Sequence, residues 1–251
     1  MSTVETRVGA FVWHECLSTD VERSKSFYTQ LLGWSIEVYK PGEMDYAMIN
    51  ANGSAHGGFM AAPEGAPSHW LGHVRVDDVD ASTEKATGLG GKVLWGPMDI
   101  PEVGRFCALA DPLGAVFSIY KPAGDEGPTS EGVFLWDELV TADVEAAKRF
   151  YREVVGWESR DVDMGTGLYT MFVREGGTDT AGAMRKPDDM PVPAAWLVYI
   201  ATENVDASVA RATELGATAV VDGMDIPDIG RIAVLIDPAG AVFGLFQPQM
   251  S

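Results

Sequence analysis

The stretch Met98-Asp-Ile-Pro-Glu-Val-Gly-Arg105 returns later in the 251-residue chain as Met224-Asp-Ile-Pro-Asp-Ile-Gly-Arg231. The sequence that follows it also returns, because Asp111-Pro-Leu-Gly-Ala-Val-Phe117 is matched by Asp237-Pro-Ala-Gly-Ala-Val-Phe243. Both pairs are offset by 126 residues, which is the size of a domain rather than of a solenoid repeat. The chain is therefore predicted to contain two domains that share one fold.

The repeat and the local composition together predict the domain boundaries. We expect a first domain over residues 1–122, a linker over 123–131 and a second domain over 132–251. The linker region combines proline, glycine and charge, and it falls between the two copies. Each domain is then long enough to bury a core of its own.

Each half is predicted to run strand, helix and three strands, and to do so twice. In the first half, Thr19-Asp-Val-Glu22 has the pattern of a capping box that opens a helix. Gly33 is suited to end that helix in the left-handed conformation. Asp111-Pro-Leu-Gly114 predicts a type I turn between the last two strands. The whole chain is therefore expected to be an α+β fold of four βαβββ units, paired two and two.

The bulk composition restricts the class of partner. A formal net charge of -19 argues against nucleic acid and against an anionic membrane surface, because both would be repelled. No apolar run reaches the roughly 18 residues of a membrane helix, and the N-terminus lacks the parts of a secretory signal. Cys16 and Cys107 have no cysteine counterparts in the second half, which predicts free thiols in a reducing compartment. We expect a cytoplasmic protein, monomeric or weakly dimeric, with a small-molecule ligand.

Several motifs resemble the vicinal oxygen chelate superfamily of glyoxalases, bleomycin resistance proteins and extradiol dioxygenases. They are the Phe27-Tyr28 pair before Leu32-Gly-Trp34, the closing Asp-Pro-x-Gly-Ala-x-Phe hairpin, and the strand starts Trp13-His-Glu-Cys16 and Trp136-Asp-Glu-Leu139. The last two, with the repeated Asp-Ile-Pro-x-x-Gly-Arg, look like the tandem glyoxalase-like proteins of actinobacteria. The resemblance implies that each pair of units forms a cup-shaped, eight-stranded barrel.

In that superfamily a divalent metal is bound in the cup by His, Gln and Glu side chains. Carried over to this chain, the metal positions are Trp13, one near Phe59, Leu71 and Ser118 in the first half and Trp136, one near Ala183, Leu197 and Gly244 in the second. None of these is a usual metal ligand. We therefore expect no metal and no other cofactor.

Glu15 and Glu138 are the predicted catalytic residues. They occupy equivalent positions in the first strand of each half, and strand alternation places them on one face with Trp13 and Trp136. A carboxylate beside tryptophan in a cup would be desolvated, which raises its pKa and suits it to proton transfer. The alternative is a structural carboxylate that pairs with an arginine or caps a loop.

Aromatic and methionine side chains recur at equivalent positions and suit the lining of a small-molecule pocket. The predicted lining is Trp13, Tyr46, Trp70, Met98 and Phe117 in the first half and Trp136, Tyr169, Trp196, Met224 and Phe243 in the second. Plain hydrophobic core is the alternative for part of this set. Tyr46 and Tyr169 are the members expected to meet solvent or a polar partner.

Arg105 and Arg231 lie in the repeated loop and are also candidate ligand-binding residues. Either they hold an anionic group, or they attach the loop to the barrel rim through a neighbouring aspartate, which we favour. His69 and His73 share a strand face, but residues four apart on a strand are about 13 Å apart, too far for one metal ion.

Three functions remain open on these residues. The first is a glyoxalase-like protein that binds an apolar or carbonyl-bearing metabolite in aromatic cups, with metal-independent proton transfer of the lyase or isomerase kind. The second is non-catalytic sequestration of a ligand or antibiotic, as in bleomycin resistance proteins. The third is a metal-dependent glyoxalase or dioxygenase, against which the missing ligands argue.

Overall fold

The computed structural model describes residues 7–40, 46–124, 127–165, 167–187 and 193–249. In these ranges the helices are α1 (Val21–Leu32), α2 (Val79–Gly88), α3 (Val144–Val155) and α4 (Val205–Glu214). The strands of the first half are β1 (Phe11–Ser18), β2 (Ser35–Tyr39), β3 (Tyr46–Ala51), β4 (Ser54–Ala61), β5 (His69–Arg75), β6 (Lys92–Ile100), β7 (Gly104–Ala110) and β8 (Val116–Pro122). Those of the second half are β9 (Phe134–Thr141), β10 (Glu158–Asp163), β11 (Leu168–Arg174), β12 (Thr178–Arg185), β13 (Ala195–Ala201), β14 (Thr218–Ile226), β15 (Gly230–Ile236) and β16 (Val242–Pro248).

Each half forms one eight-stranded mixed sheet. The strand order is β2-β3-β4-β1-β5-β8-β7-β6 in the first sheet and β10-β11-β12-β9-β13-β16-β15-β14 in the second. The predicted α+β fold of four βαβββ units is confirmed. Closure into a barrel is not observed, because among the described strands each order runs between two separate edges. None of the described helices is long and apolar enough to cross a membrane.

The helices begin and end where side-chain chemistry favours it. Asp20 caps α1 by accepting a hydrogen bond from the backbone N–H of Arg23 at 3.1 Å, one residue after the threonine of the predicted capping box. Asp143 caps α3 in the same way through Ala146 at 2.9 Å. Gly33 ends α1 with a φ of 69°, in the left-handed region that glycine adopts without strain.

The chain packs into two compact units, and each unit contains residues from both sequence halves. Unit 1 comprises the chain up to Val12 together with Gly72–Gly127 and Trp136–Trp196. Unit 2 comprises Trp13–Leu71, Pro128–Leu135 and the chain from Leu197 onward. The second βαβββ unit of the first half therefore packs with the first of the second half, and the two outer βαβββ units pack together.

The core of unit 1 joins β7 and β8 to helix α3. Phe117 lies with its ring centroid 5.2 Å from that of Tyr151, in an edge-to-face arrangement, and both side chains are fully buried. The core of unit 2 repeats this packing, because Tyr28 of α1 and Phe243 of β16 have ring centroids 5.3 Å apart. The best-repeated aromatic residues thus form helix-to-sheet cores.

A buried tyrosine lies beside the turn aspartate of the opposite sequence half within each unit. In unit 1 the backbone N–H groups of Leu113 and Ala115 donate to Asp111 at 2.9 Å, and the Tyr151 hydroxyl donates to it at 3.2 Å. In unit 2 the Tyr28 hydroxyl lies beside Asp237. The Phe-Tyr pair, which is Phe27-Tyr28 in the first half and Phe150-Tyr151 in the second, therefore packs against the Asp-Pro-x-Gly turn of the other half.

The buried aspartates predict a pH dependence of stability. Burial raises the pKa of Asp111 and of Asp237, although the backbone N–H donors and the tyrosine hydroxyls oppose the shift. The folded state therefore holds these protons more tightly than the unfolded state. Their contribution to stability is present below a pH of about 4 and declines as the pH rises through the raised pKa values.

We expect the unfolding free energy of the wild type, minus that of the Asp111→Asn/Asp237→Asn variant, to fall as the pH is raised from about 4 to 7. Asparagine keeps an acceptor for the backbone N–H groups and cannot ionise. Urea unfolding of both proteins at several pH values measures the difference. The contributions of the other carboxylates are the same in both proteins and cancel. A difference that stays constant or rises with pH would contradict the assignment.

Thr141, at the end of β9, has a fully buried hydroxyl without a hydrogen-bond partner in the described part of the chain. The equivalent hydroxyls at the ends of β1 and β13 are satisfied by a serine of the following helix: Ser18 contacts Ser24 at 2.8 Å, and Thr202 contacts Ser208 at 2.7 Å. Helix α3 has an alanine at that position. The Thr141 hydroxyl therefore costs desolvation without compensation.

Replacing Thr141 by Val should raise the free energy of unfolding by about 1 kcal/mol, because it removes an unsatisfied hydroxyl and keeps the side-chain shape. The matched control is Thr202→Val, which removes a hydroxyl that is hydrogen-bonded to Ser208. This variant should lower the free energy of unfolding by a similar amount. Chemical denaturation of both variants tests the pair. Equal effects of the same sign would refute the explanation.

Candidate functional site

The first strand of each sheet has one face toward the helices and one face away from them. On β1 the buried residues alternate with partly exposed ones, and Cys16 lies in the core with α1. Trp13 and Glu15 therefore point to the opposite side, which we call the open face. The same alternation places Trp136 and Glu138 on the open face of β9. The predicted sharing of a face is thus observed for both pairs.

On the open face of unit 2, three predicted site residues form one hydrogen-bonded chain. The indole Nε1–H of Trp13 donates to the Tyr46 hydroxyl oxygen at 2.8 Å. The Tyr46 hydroxyl donates in turn to Glu15 Oε1 at 2.8 Å. Trp13 and Glu15 lie two residues apart on β1, whereas Tyr46 comes from β3. We refer to these residues as the Trp13–Tyr46–Glu15 triad.

Gly58 provides the space for the tyrosine hydroxyl. Its strand β4 lies between β1 and β3, and Gly58 is directly paired with Glu15 in the parallel β1–β4 ladder. A Cβ at this position would collide with the Tyr46 hydroxyl oxygen. Gly58 was not predicted as a site residue from the sequence, although a glycine inside a strand is a signal that another group approaches closely.

Unit 1 carries a second copy of this arrangement. The Trp136 Nε1–H donates to the Tyr169 hydroxyl at 2.8 Å, and Gly182 pairs with Glu138 in the β12–β9 ladder. A Cβ on Gly182 would again collide with the tyrosine hydroxyl. Each copy lies wholly within one compact unit.

The surroundings keep Tyr46 protonated. Burial raises its pKa well above 10, the negative charge of Glu15 raises it further, and the hydrogen bond from Trp13 partly opposes both effects. The phenol is therefore a neutral hydroxyl at physiological pH. Its hydrogen is directed to Glu15, so the geometry does not favour a role for this hydroxyl in polarising an oxygen atom of a ligand.

Four predicted lining residues lie in the hydrophobic cores and not on the open faces. Trp70 is 5% exposed and donates its Nε1–H to the Tyr28 hydroxyl at 2.9 Å. Trp196 donates to the Tyr151 hydroxyl at 2.9 Å, while Phe117 and Phe243 are fully buried. Since both faces of these strands are apolar, alternation alone could not show which face meets the helices.

The repeated loop residues have a structural position. Arg105 donates to Asp80 of α2 at 2.8 and 3.0 Å and forms an ion pair with Asp99 at 3.1 Å. Arg231 contacts Asp206 and Asp225 in the same way, both at 2.8 Å. These carboxylates raise the pKa of both arginines. The geometry favours the attachment interpretation over anion binding.

The methionines of the same loop are partly solvent-exposed. Met98 is 37% and Met224 is 46% exposed, and each pairs across its hairpin with a residue of the next strand. Exposure and strand pairing alone do not assign either methionine to a ligand site.

Two buried histidines bind the segment between the sequence halves. His14 contacts the Ser130 hydroxyl through Nδ1 at 3.0 Å and stacks on Phe134. His56 contacts the Thr129 carbonyl oxygen through Nδ1 at 2.7 Å. Both rings therefore have structural partners in unit 2. The partner of His69 is local in sequence: its Nδ1 contacts the carbonyl oxygen of Pro67 at 2.9 Å, near the start of β5.

The residues at the superfamily's metal positions do not fit a metal ion. Trp13 and Trp136 donate hydrogen bonds through nitrogens that have no lone pair for a metal. Leu71 and Leu197 are aliphatic, Gly244 has no side chain, and Ser118 donates to the Cys107 carbonyl at 3.2 Å. In the described ranges no three His, Cys, Asp or Glu side chains come together as a possible site.

Comparison with known proteins identifies the family. The model of the Glyoxalase/Bleomycin resistance protein/Dioxygenase superfamily matches residues 13–119, and the Glyoxalase-like domain model matches residues 135–246. "Putative glyoxylase CFP32" of Mycobacterium tuberculosis is 35% identical over 254 residues, which cover 97% of each chain. "Anthracycline biosynthesis protein DnrV" of Streptomyces peucetius is 33% identical over 258 residues, covering 95% of this chain and 93% of that one.

Solved structures agree on the fold. The crystal structure of the Mn(II)-bound glyoxalase from Novosphingobium aromaticivorans has a TM-score of 0.63 and 18% identity, over 96% of this chain and 82% of that one. Identity at this level indicates a shared fold and carries no further information about the reaction. With both halves matched by family models and with relatives similar along nearly the whole length, the chain belongs to the glyoxalase/bleomycin resistance protein/dioxygenase superfamily.

Proposed function

We propose that each unit binds a small apolar or carbonyl-bearing molecule on its open face, and that Glu15 and Glu138 exchange a proton with it. The reaction would be a metal-independent proton transfer of the lyase or isomerase type. The observation that carries the proposal is the hydrogen-bonded Trp13–Tyr46–Glu15 triad, in which Trp13 has the place of one of the superfamily's metal ligands. Its recurrence in unit 1 supports two sites per chain.

The triad has the properties of a positioned base. Glu15 is only partly exposed, and the Tyr46 hydroxyl holds one of its oxygens at 2.8 Å, so the carboxylate has a defined orientation. A positioned carboxylate that takes a proton in the transition state contributes typically about 10²- to 10⁴-fold in rate. The Trp13 ring beside it provides an apolar contact for the body of the ligand.

The relatives support a small organic ligand. One is named as a glyoxylase and another for anthracycline biosynthesis, and both names describe small-molecule chemistry. Non-catalytic binding is the second candidate. It is favoured by one observation, namely that the donor hydrogens of Trp13 and Tyr46 are both used inside the triad.

Substitution of the two glutamates distinguishes these candidates. A thermal-shift screen of aldehydes, alcohols, amines and aromatic natural products first supplies a ligand, and its conversion is followed by mass spectrometry. At saturating ligand, Glu15→Gln/Glu138→Gln should reduce turnover by about 10²- to 10⁴-fold, because the amide cannot accept the proton. The exposed Glu84→Gln on α2 is the matched control and should behave as the wild type.

Turnover that survives in the double variant would remove the two glutamates from the mechanism. Binding without turnover in the wild type would favour sequestration. An ion held tightly at one equivalent or more per chain, found by metal analysis of protein purified without chelator, would overturn the metal-independent reaction.

A further inference from the structure

The direction of the hydrogen bonds in the triad determines which ligand groups it can meet. From it we infer that the ligand group recognised at each site is a hydrogen-bond donor, that is, a hydroxyl or amine on an apolar body, and that the carbonyl of a carbonyl-bearing ligand does not face the carboxylate. This inference rests on the proposed function, because it names the ligand class of the same sites.

The triad has only two hydrogens that it can donate. The Trp13 indole has one N–H, and it is donated to the Tyr46 oxygen. The Tyr46 phenol has one O–H, and it is donated to Glu15. An ionised carboxylate has no hydrogen to give and accepts at both oxygens. All donor hydrogens of the triad are therefore used internally, and the triad offers a ligand only lone pairs.

The hydrogen of Tyr46 is also difficult to redirect. Its acceptor is a carboxylate, and hydrogen bonds to an ionised group are roughly twice as strong as those between neutral groups. A neutral carbonyl oxygen of a ligand would have to compete with that bond. The hydroxyl is also closely confined, because a single added methyl at Gly58 would collide with it.

The triad is therefore opposite in polarity to an oxyanion hole, which presents N–H or O–H donors to a developing negative charge. A ligand hydroxyl or ammonium group that donates to Glu15 would lie in position to lose its proton to that carboxylate. In unit 1 the Trp136 N–H is likewise donated to Tyr169, and Glu138 has the place of Glu15, so we extend the inference to that site.

Three matched probes test the inference: 1-phenylethylamine, 1-phenylethanol and acetophenone. The three probes have similar shapes and differ in one polar group. That group is a cationic donor in 1-phenylethylamine, a neutral donor in 1-phenylethanol and an acceptor in acetophenone. Each is titrated into the full chain while the indole N–H signals of Trp13 and Trp136, assigned with Trp13→Phe and Trp136→Phe, are followed by NMR. The comparison between the two neutral probes is independent of the general attraction of cations to a chain of net charge -19.

We expect 1-phenylethanol to bind at least tenfold more tightly than acetophenone. In Glu15→Gln/Glu138→Gln the amide presents N–H donors, so the preference should shift toward acetophenone by tenfold or more. The inference is overturned if the wild type prefers acetophenone, or if the preference is unchanged in the double variant. Either result is still compatible with a small-molecule site. If none of the three probes perturbs either indole signal at millimolar concentration, the proposed function fails, and this inference fails with it.

Discussion

Residues 1–127 expressed alone should not reach the native fold, and adding residues 128–251 should restore it. Each compact unit is built from both parts of the chain, so either fragment leaves both cores half exposed. In unit 1, for example, Phe117 and Asp111 lose Tyr151, and in unit 2 Phe243 loses Tyr28. A typical domain is stabilised by only roughly 5–15 kcal/mol, so we expect the loss of half of each core to leave neither fragment with a stable native fold.

The measurement is near-ultraviolet circular dichroism, together with the cooperativity of thermal unfolding and the molecular mass in solution. The control is the full chain cut at an engineered protease site after Gly127, which should keep the native spectrum. Equimolar fragments should recover the same spectrum as a heterodimer. A single fragment that is monomeric, gives a native-like spectrum and melts cooperatively would contradict the packing described for the two units.

Gly58→Ala should disrupt the triad of unit 2, and Gly182→Ala should disrupt the matching site of unit 1. In each case the new Cβ collides with the tyrosine hydroxyl, which must move away from its indole partner, and in unit 2 also from Glu15. Overpacking costs about 1–3 kcal/mol, and a lost hydrogen bond to a charged group about 1.5–3 kcal/mol. We expect a loss of about 2–4 kcal/mol in unfolding free energy for each variant, and loss of ligand binding at the altered site.

The readouts are denaturant unfolding and the indole N–H signals. Gly58→Ala should shift the Trp13 signal and Gly182→Ala the Trp136 signal, since each site lies within its own unit. Gly88→Ala is the matched control. It lies at the end of α2, where an added Cβ would point into open space among the described residues. We expect the variant to be neutral or stabilised by up to about 1 kcal/mol. Behaviour of Gly58→Ala like that of Gly88→Ala would show that Gly58 does not position Tyr46.

Local periodicity was sufficient to predict part of the site. Trp13 and Glu15 are two residues apart on one strand, so their shared face follows from the two-residue period alone. Tyr46 was expected to find a polar partner because a buried phenol needs one. Its actual partners could not be named from the sequence, since they depend on the order β3-β4-β1 and on the register that sets Gly58 beside Glu15.

The same periodicity was insufficient for Trp70, Phe117 and Phe243. Strands covered on both faces carry apolar residues in both sets of alternate positions. A repeated aromatic residue is then equally compatible with a cup and with a core. Only the position of the helices shows that these three residues lie in cores.

The sequence by itself determined that there are two copies of one fold, four βαβββ units, and a tyrosine and a turn aspartate in each half. It could not determine which tyrosine meets which aspartate, because the motifs are the same in both copies. The tertiary structure decided this by pairing Tyr151 with Asp111 and Tyr28 with Asp237, across the halves. The physical reason is that helix-to-sheet packing between distant segments, and not local sequence preference, selects the buried partners.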